Sequence, residues 1–305
     1  VSGASVAVVV VTYDRCELLG GMLDGLAALT TPPAAVYVVD NASSDGTAAL
    51  LAERAARGDL PLRVVRAPAN LGGAGGFHLG LRTAHRDGHD LFWLMDDDVV
   101  PAPDCLERLL EHADEADGFV AVREDREGRL VEKAALDFDL RNPLALRPKR
   151  ATVDSAYAVR ADMPATVEVQ NVAFEGFLVH RRVVDRVGLP DPSFFIFYDD
   201  VDFALRARRD GARIVAVRDA VLVRQLAFDQ QHDLAGWKGF YMYRNLFVVH
   251  LRYGENVLVR LKPWLLVLAV VLLSPVRGGP GEARNVIRAM ASARGMRRPP
   301  PTSVD

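Results

Sequence analysis

Asp90-Leu91-Phe92-Trp93-Leu94-Met95-Asp96-Asp97-Asp98 reads as a buried strand that runs straight into three carboxylates. The same pattern recurs on its N-terminal side. Ser5–Val11 is a valine-rich run ending in Thr12-Tyr13-Asp14-Arg15, and Val36–Val39 ends in Asp40-Asn41. Leu62–Arg66 is a third short strand. Helical patterns separate these runs, at Leu18–Leu29, at Thr47–Ala56 after the turn and cap Ser43-Ser44-Asp45-Gly46-Thr47, and from the glycine-rich stretch Asn70–Gly76 through about His85. Alternating strands and helices predict a parallel sheet with helices on both faces. In such sheets the ligand crevice lies at the strand C-termini. Three strand ends here carry polar groups: Thr12–Arg15, Asp40-Asn41 and Asp96–Asp98.

Further along, Pro103–Ala113 reads as helix and Phe119–Arg123 as strand. Glu124–Ala165 is charged, proline-containing and without a clear period. Val167–Val179 is strand-like, and Arg182–Val187 is a short helix. The aromatic run Phe194–Tyr198 ends in Asp199-Asp200, with a helix over Asp202–Arg209 and a strand over Arg213–Val217. Gly236–Tyr253 predicts a helix rich in aromatic residues and arginine.

Composition narrows the function classes. The 305 residues are 50% hydrophobic and 25% charged, enough for a sizeable core without staples. The net charge of −3 gives no electrostatic reason to expect nucleic acid as a partner. Two cysteines, Cys16 and Cys105, make neither a disulfide framework nor a structural zinc site. The first residues lack the charged n-region of a signal peptide. The longest apolar stretch, Trp264–Leu273, is ten residues between Pro263 and Pro275, short of the ~20 needed to cross a bilayer. From Leu251 to Asp305 nine Arg and Lys stand against three Asp and Glu, so this apolar, Trp-bearing segment suits a membrane surface; a packed C-terminal helix or an oligomer interface is the competing use.

The chemistry sits in three places. Carboxylates at Asp96-Asp97-Asp98 repel one another, and a hard divalent cation, Mg²⁺ or Mn²⁺, relieves that repulsion. Alternate residues of an extended chain point the same way, so Asp96 and Asp98 can share a face. Glycines at Asn70-Leu71-Gly72-Gly73-Ala74-Gly75-Gly76 let backbone N–H groups approach a phosphate or sugar. No Lys-Ser/Thr follows, so this is not a Walker loop. Asp199-Asp200 stands on an apolar wall, where a carboxylate keeps a raised pKa and accepts a proton; capping of the next helix is the plainer use of one of the pair. Among seven histidines, His232 in Asp229-Gln230-Gln231-His232-Asp233 is the candidate for site chemistry. G-x-S-x-G and H-E-x-x-H are absent, which removes support for hydrolase and metalloprotease readings.

Together these pieces resemble the inverting family-2 glycosyltransferases of the GT-A fold. The resemblance rests on Val11-Thr12-Tyr13-Asp14-Arg15, Val39-Asp40-Asn41-Ala42-Ser43, Asn70–Gly76, Asp96-Asp97-Asp98 and Phe197-Tyr198-Asp199-Asp200-Val201-Asp202, over roughly Ser5 to Gly211. Trp93–Asp98, Gly188-Leu189-Pro190 and Trp237 through Tyr243-Arg244-Asn245 resemble the actinobacterial galactofuranosyltransferases, in particular the short enzymes that begin galactan. The resemblance implies an α/β fold with a mixed, mostly parallel, Rossmann-like sheet flanked by helices. It implies a catalytic domain over 1–235, with a nucleotide-sugar half (1–123) and an acceptor half (124–235), and a helical extension over 236–305. It implies UDP-galactofuranose as donor, a polyprenyl-diphosphate-linked rhamnosyl-N-acetylglucosamine as acceptor, and a peripheral place on the cytoplasmic face of the plasma membrane without a spanning segment. Thr12, Arg15, Asp40, Asn41 and Asn70 then fall where the UDP part is held, with Gly72, Gly73, Asp96 and Asp97 beside them. Asp96 and Asp98 match the metal carboxylates, Asp200 the base, and Asp199 an acceptor contact. Where the family often has a metal-binding histidine this chain has Gln225; Gln225, His232 or an additional water is left as the third ligand. The rivals are a dTDP-rhamnose-dependent rhamnosyltransferase of the same fold, a nicotinamide-dependent dehydrogenase, and a non-catalytic sugar-binding module.

Overall fold

The computed structural model describes residues 3–145, 147–226, 234–276, 279–302 and 304. The first half alternates: β1 (Val6–Thr12), α1 (Cys16–Ala27), β2 (Ala35–Asp40), α2 (Thr47–Arg57), β3 (Leu62–Arg66), α3 (Gly72–Arg86), β4 (Leu91–Asp96) and β5 (Val99–Pro101). Then come α4 (Cys105–Glu111), β6 (Gly118–Glu124), β7 (Ala135–Phe138), β8 (Lys149–Thr152), α5 (Val153–Ala156), β9 (Thr166–Glu168), β10 (Phe177–His180), α6 (Arg181–Val187), α7 (Asp199–Arg209) and β11 (Ile214–Arg224). Three helices close the chain: α8 (Trp237–Tyr253), α9 (Val257–Leu273) and α10 (Gly279–Gly295).

The main sheet runs β3-β2-β1-β4-β10-β6-β11-β5, with β9 also on β11. The pairs β1–β2, β1–β4, β2–β3 and β6–β11 are parallel. β10 lies antiparallel between β4 and β6, and β5 and β9 are antiparallel to β11. The sheet is therefore mixed and mostly parallel, as expected. Reversal at β10 has one consequence for function. It keeps β4, β6 and β11 pointing the same way, so their C-terminal ends and the start of β10 all open on one edge.

Alternation along β1 explains the layering. Ala7, Val9 and Val11 face a core shared with α3, α6 and α7; Val6, Val8 and Val10 face one shared with α1 and α4. Both faces are covered, as a parallel sheet requires. α3 lies close on the first face because Gly76 and Gly80 carry no Cβ: at Gly80 one would come within 2.5 Å of Val9 Cγ1. α8, α9 and α10 build a third cluster around Phe247, Val270, Val286 and Met290, into which Ala74 and Phe194 reach.

Four expectations change. Val167–Val179 is two strands, β9 and β10. The break falls where Asn171 Oδ1 accepts from Ala135 N at 2.6 Å and Gly176 takes φ +103°. Glu124–Ala165 holds the β7–β8 hairpin and α5, too short and polar to show a period. β11 runs seven residues beyond Val217, past a register shift between Val217 and Val221 that hides its alternation. Finally, Pro263 does not bound the apolar segment. Asn256 caps a helix that starts at Val257, its Oδ1 accepting from Val259 N at 3.0 Å, and Pro263 lies inside it on the buried side. Val257–Val276 is 20 residues, long and apolar enough by length and composition to cross a membrane.

Candidate active site

Thr12 ends β1 and Asp96 ends β4, paired through Val11↔Asp96. The turn after β4 brings Asp97 back over β1. Thr12 Oγ1 donates to Asp97 Oδ2 at 2.8 Å, and Arg15 Nη1 donates to Asp97 Oδ1 at 3.0 Å. The same nitrogen reaches Asp98 Oδ2 at 3.4 Å. Thr12 and Asp97 thus brace the turn, while Asp96 and Asp98 keep more of their oxygens for other uses. Asp98 Oδ1 is buried without a hydrogen-bond partner.

Burial, followed by the charges of Glu175, Asp98 and Asp97, holds Asp96 well above the ordinary carboxylate range. Burial and then Glu175 push Asp98 up, against Arg15 and Arg224. Buried oxygen donors that resist ionisation, one of them unpartnered, fit a hard divalent cation. Among the described residues no group of three or more His, Cys, Asp or Glu side chains is placed to hold a metal ion. Asp96 and Asp98 would hold it, with water or ligand oxygens completing the shell. Gln225 donates its backbone N–H to Asp98 O at 2.8 Å, while its side-chain carbonyl accepts from Arg126 at 3.1 Å. His232 lies outside the described residues.

On the neighbouring strand Asp40 is buried at the end of β2. Its Oδ1 accepts from Ser43 N at 2.8 Å, and its Oδ2 pairs with Arg66 at 3.1 Å. Asn41 Nδ2 donates to Gly72 O at 3.1 Å, and its Oδ1 is buried without a partner. Asn70 Oδ1 accepts from Gly72 N at 2.8 Å and opens α3. The glycines are helical, not a loop before a helix: Gly72 is the first residue of α3. Gly72 has φ +70°, and a Cβ there would lie 2.0 Å from Phe195 O. At Gly73 a Cβ would meet nothing, so this face stays open. Thr12, Arg15, Asp40, Asn41, Asn70, Gly72, Gly73 and Asp96–Asp98 all fall along one stretch of the sheet edge.

Asp199 and Asp200 begin α7; the N-cap residue Tyr198 makes no side-chain cap, while Asp200 Oδ1 accepts from Val201 N in the first turn at 2.7 Å. Three carboxylates in that first turn, with Asp202, oppose the helix dipole favourably. Burial and the charge of Asp200 hold Asp199 well above its usual range. Asp200 is pushed up to about 6, chiefly by burial, while the Val201 N–H and the Lys149 charge pull it down. That value suits a base working near neutrality.

The turn into α7 is strained. Phe195, Phe197 and Tyr198 have φ of 63°, 66° and 66°, uncommon for bulky residues. One side chain on α8 holds it. Asn245 Nδ2 donates to the carbonyls of Phe194, Ile196 and Phe197 at 3.0, 2.7 and 2.9 Å. Arg244 fixes that amide through Nε to Asn245 Oδ1 at 2.8 Å, and donates to the Ser193 and Phe194 carbonyls at 2.7 Å. Phe194 is fully buried, so this member of the aromatic run packs the core. Phe195 instead stacks on Tyr241, ring centroids 5.0 Å apart, with Trp237 edge-on to both.

Sequence reasoning missed Glu175, Arg123, Arg224 and Lys149. Arg123 is bidentate to Glu132 at 2.9 Å and reaches Glu175 at 2.5 Å; Arg224 reaches the other oxygen of Glu175 at 3.4 Å. Arg123 and Arg224 sit at the ends of β6 and β11 and Glu175 just before β10, the edge that also carries Asp96; Lys149 opens β8 in the separate two-stranded sheet. Their only signal was polar residues at strand ends, and Val167–Val179 read as one strand hid it for Glu175.

The profile of glycosyl transferase family 2 matches residues 7–160. Galactofuranosyltransferase GlfT1 of Mycolicibacterium smegmatis is 29% identical over 79% of this chain and 81% of its own length. GlfT1 of Mycobacterium tuberculosis is 31% identical over 79% and 80%. Among solved structures, the mannosyltransferase PcManGT of Pyrobaculum calidifontis, in complex with GDP-Man and Mn²⁺, superposes with a TM-score of 0.57. It covers 95% of this chain and 75% of its own at 22% identity, a likeness of fold. Replacing Asn245 by leucine, which keeps the volume and removes the donors, is expected to lower stability by about 1–3 kcal/mol. The start of α7, with Asp199 and Asp200, should shift as the turn loses its tether. Denaturant melts would check this; wild-type melting would mean that the amide does not hold the turn.

Proposed function

The chain belongs to glycosyl transferase family 2, and we propose that it transfers galactofuranose from UDP-galactofuranose to a polyprenyl-diphosphate-linked rhamnosyl-N-acetylglucosamine, inverting the anomeric centre. The observation that carries this reading is the likeness to two galactofuranosyltransferases across four-fifths of their length. The donor lies along the C-terminal ends of β1, β2 and β4, with Asp40, Asn41, Asn70 and Arg15 toward its nucleoside and phosphates. Asp96 and Asp98 would hold Mn²⁺ or Mg²⁺, whose charge would offset part of that of the departing diphosphate. Asp200 takes the proton of an acceptor hydroxyl as that oxygen bonds to the anomeric carbon. The bond from this carbon to the UDP oxygen breaks on the opposite face, and UDP leaves with the electron pair. A single base suffices, and inversion needs no covalent intermediate. Asp199 receives a further acceptor hydroxyl. The ring faces of Phe195, Tyr241 and Trp237, the last 59% exposed, offer an apolar wall for sugar C–H groups.

The outward face of α9 carries Val257, Leu258, Leu261, Trp264, Leu265, Leu268 and Leu272, all exposed. Arg294 of α10 lies over the Trp264 ring at 5.6 Å, and Arg260, Arg284 and Arg288 are exposed on the same helical unit. An apolar stripe with basic flanks suits a helix lying on an anionic membrane surface. This orientation supports a peripheral enzyme at the cytoplasmic leaflet, where a lipid-linked acceptor is found.

The deciding assay is mass-spectrometric transfer from UDP-galactofuranose to a short lipid-tailed rhamnosyl-N-acetylglucosamine, with Mn²⁺ and with EDTA. A metal-dependent gain of hexose is expected; activity with dTDP-rhamnose instead would move the enzyme to another donor. Asp200→Asn should cut turnover by about 10²–10⁴-fold while UDP still binds. Because the base must be ionised, the rate should fall as pH drops through about 6. Lys149→Met removes a charge that favours the ionised form, so this acid limb should move to higher pH. For the membrane, the double change Leu265→Asp and Leu268→Asp is expected to abolish co-sedimentation with anionic vesicles and to spare transfer to a water-soluble acceptor. Unchanged sedimentation would sink the surface reading, and resistance to alkaline extraction would mean a spanning helix.

A further inference from the structure

Two carboxylates make a sparse cation site. A divalent ion on Asp96 and Asp98 would offset part of the charge of a departing diphosphate, and a second positive group would offset the rest. Arg15 is already paired to Asp97 and Asp98. Arg224 stands on the other side of the same turn. It is the last residue of β11, paired in register with Val99, and the next residue, Gln225, donates its N–H to Asp98 O at 2.8 Å. Its side chain is 11% exposed and is braced from behind by Glu175, whose Oε1 lies 3.4 Å from Nη2. Glu175 is in turn gripped by Arg123, itself locked bidentately to Glu132.

The geometry points to Arg224 as a second positive group on the leaving diphosphate, with Glu175 as the residue that positions it. This rests on the nucleotide-sugar reading of the site. A guanidinium offers paired donors to phosphate oxygens, and it cannot lose its proton as the leaving-group charge builds up. Glu175 works indirectly: it sets the height and angle of the fork at the end of β11.

The test separates phosphate contact from general damage to the fold. Binding of Mn²⁺-pyrophosphate, Mn²⁺-UDP and uridine is measured for wild type, Arg224→Gln, Arg224→Lys and Glu175→Gln, with melting curves alongside. Arg224→Gln is expected to lose about 10-fold to 100-fold on pyrophosphate and on UDP and to keep uridine affinity. Arg224→Lys should recover part of that loss, and Glu175→Gln should show a smaller loss of the same pattern. Equal losses on uridine and pyrophosphate, or an unchanged pyrophosphate affinity in Arg224→Gln, would overturn the proposal. Should wild type bind pyrophosphate but not UDP, with the Arg224 effect intact, the uridine reading of the donor falls and the role of Arg224 stands.

Discussion

The side-chain amide of Asn245 is the contact on which the catalytic geometry depends. Three non-glycine residues with positive φ do not persist by local preference. They persist here because one amide collects three carbonyls that a regular turn would have paired or exposed to water. Arg244 secures the amide from behind. α8 is anchored in its turn by a buried network in which Asp202 of α7 accepts from Arg206, Arg252 and Tyr253, and Arg252 also pairs with Asp191. Buried charges of this kind are retained only when fully paired, and their removal one at a time is costly. The helical extension is therefore part of the machinery that aims Asp199 and Asp200, whatever its outer face touches.

The sheet supplies the other half of the site. Placing β10 antiparallel between two parallel blocks gathers Asp96, Arg123, Glu175 and Arg224 on one edge without any long loop. Asp96 and Glu175 are partly buried there, and burial pushes each toward its neutral form. Glu175 is the exception that explains the rest. Burial raises it, yet Arg123 and Arg224 bring it below the usual range, so it stays charged and presses on Asp96, Asp98 and Asp200 alike. Electrostatically the Asp96–Asp98 turn and the start of α7 are one site.

Much of this was legible from residue order. Strands β1 to β4 were found because each is a short apolar run closed by polar residues, and Thr12, Asp40 and Asp96 mark their ends. The family resemblance alone set Asp200 apart from Asp199 as the expected base, which no periodicity could do. What was not legible came from long-range pairing. Nothing local says that β10 reverses, that Asn245 reaches fifty residues back to Phe194, or that Asp97, not Asp96, bonds Thr12. The bulge in β11 broke the alternation that would have announced Arg224. At α9 the proline was read by its usual effect on helices, whereas the Asn256 cap and burial of the Pro263 side carry the helix through it.

Gly72 and Phe195 meet backbone to backbone: Ala74 N donates to Phe195 O at 3.1 Å, and Gly72 leaves no room for even a methyl group. Sequence drift at this seam is accordingly closed on one side and open on the other. The glycine is barred from every other residue by both its torsion and its neighbour. The side chains at 195 and 197 project from a backbone already tied down by Asn245, so they can be exchanged without rebuilding the loop that carries them, whereas Tyr198 packs against the core. A lineage with this architecture would vary by repainting a fixed ledge, and its record of divergence should be written in those positions and not in insertions around them.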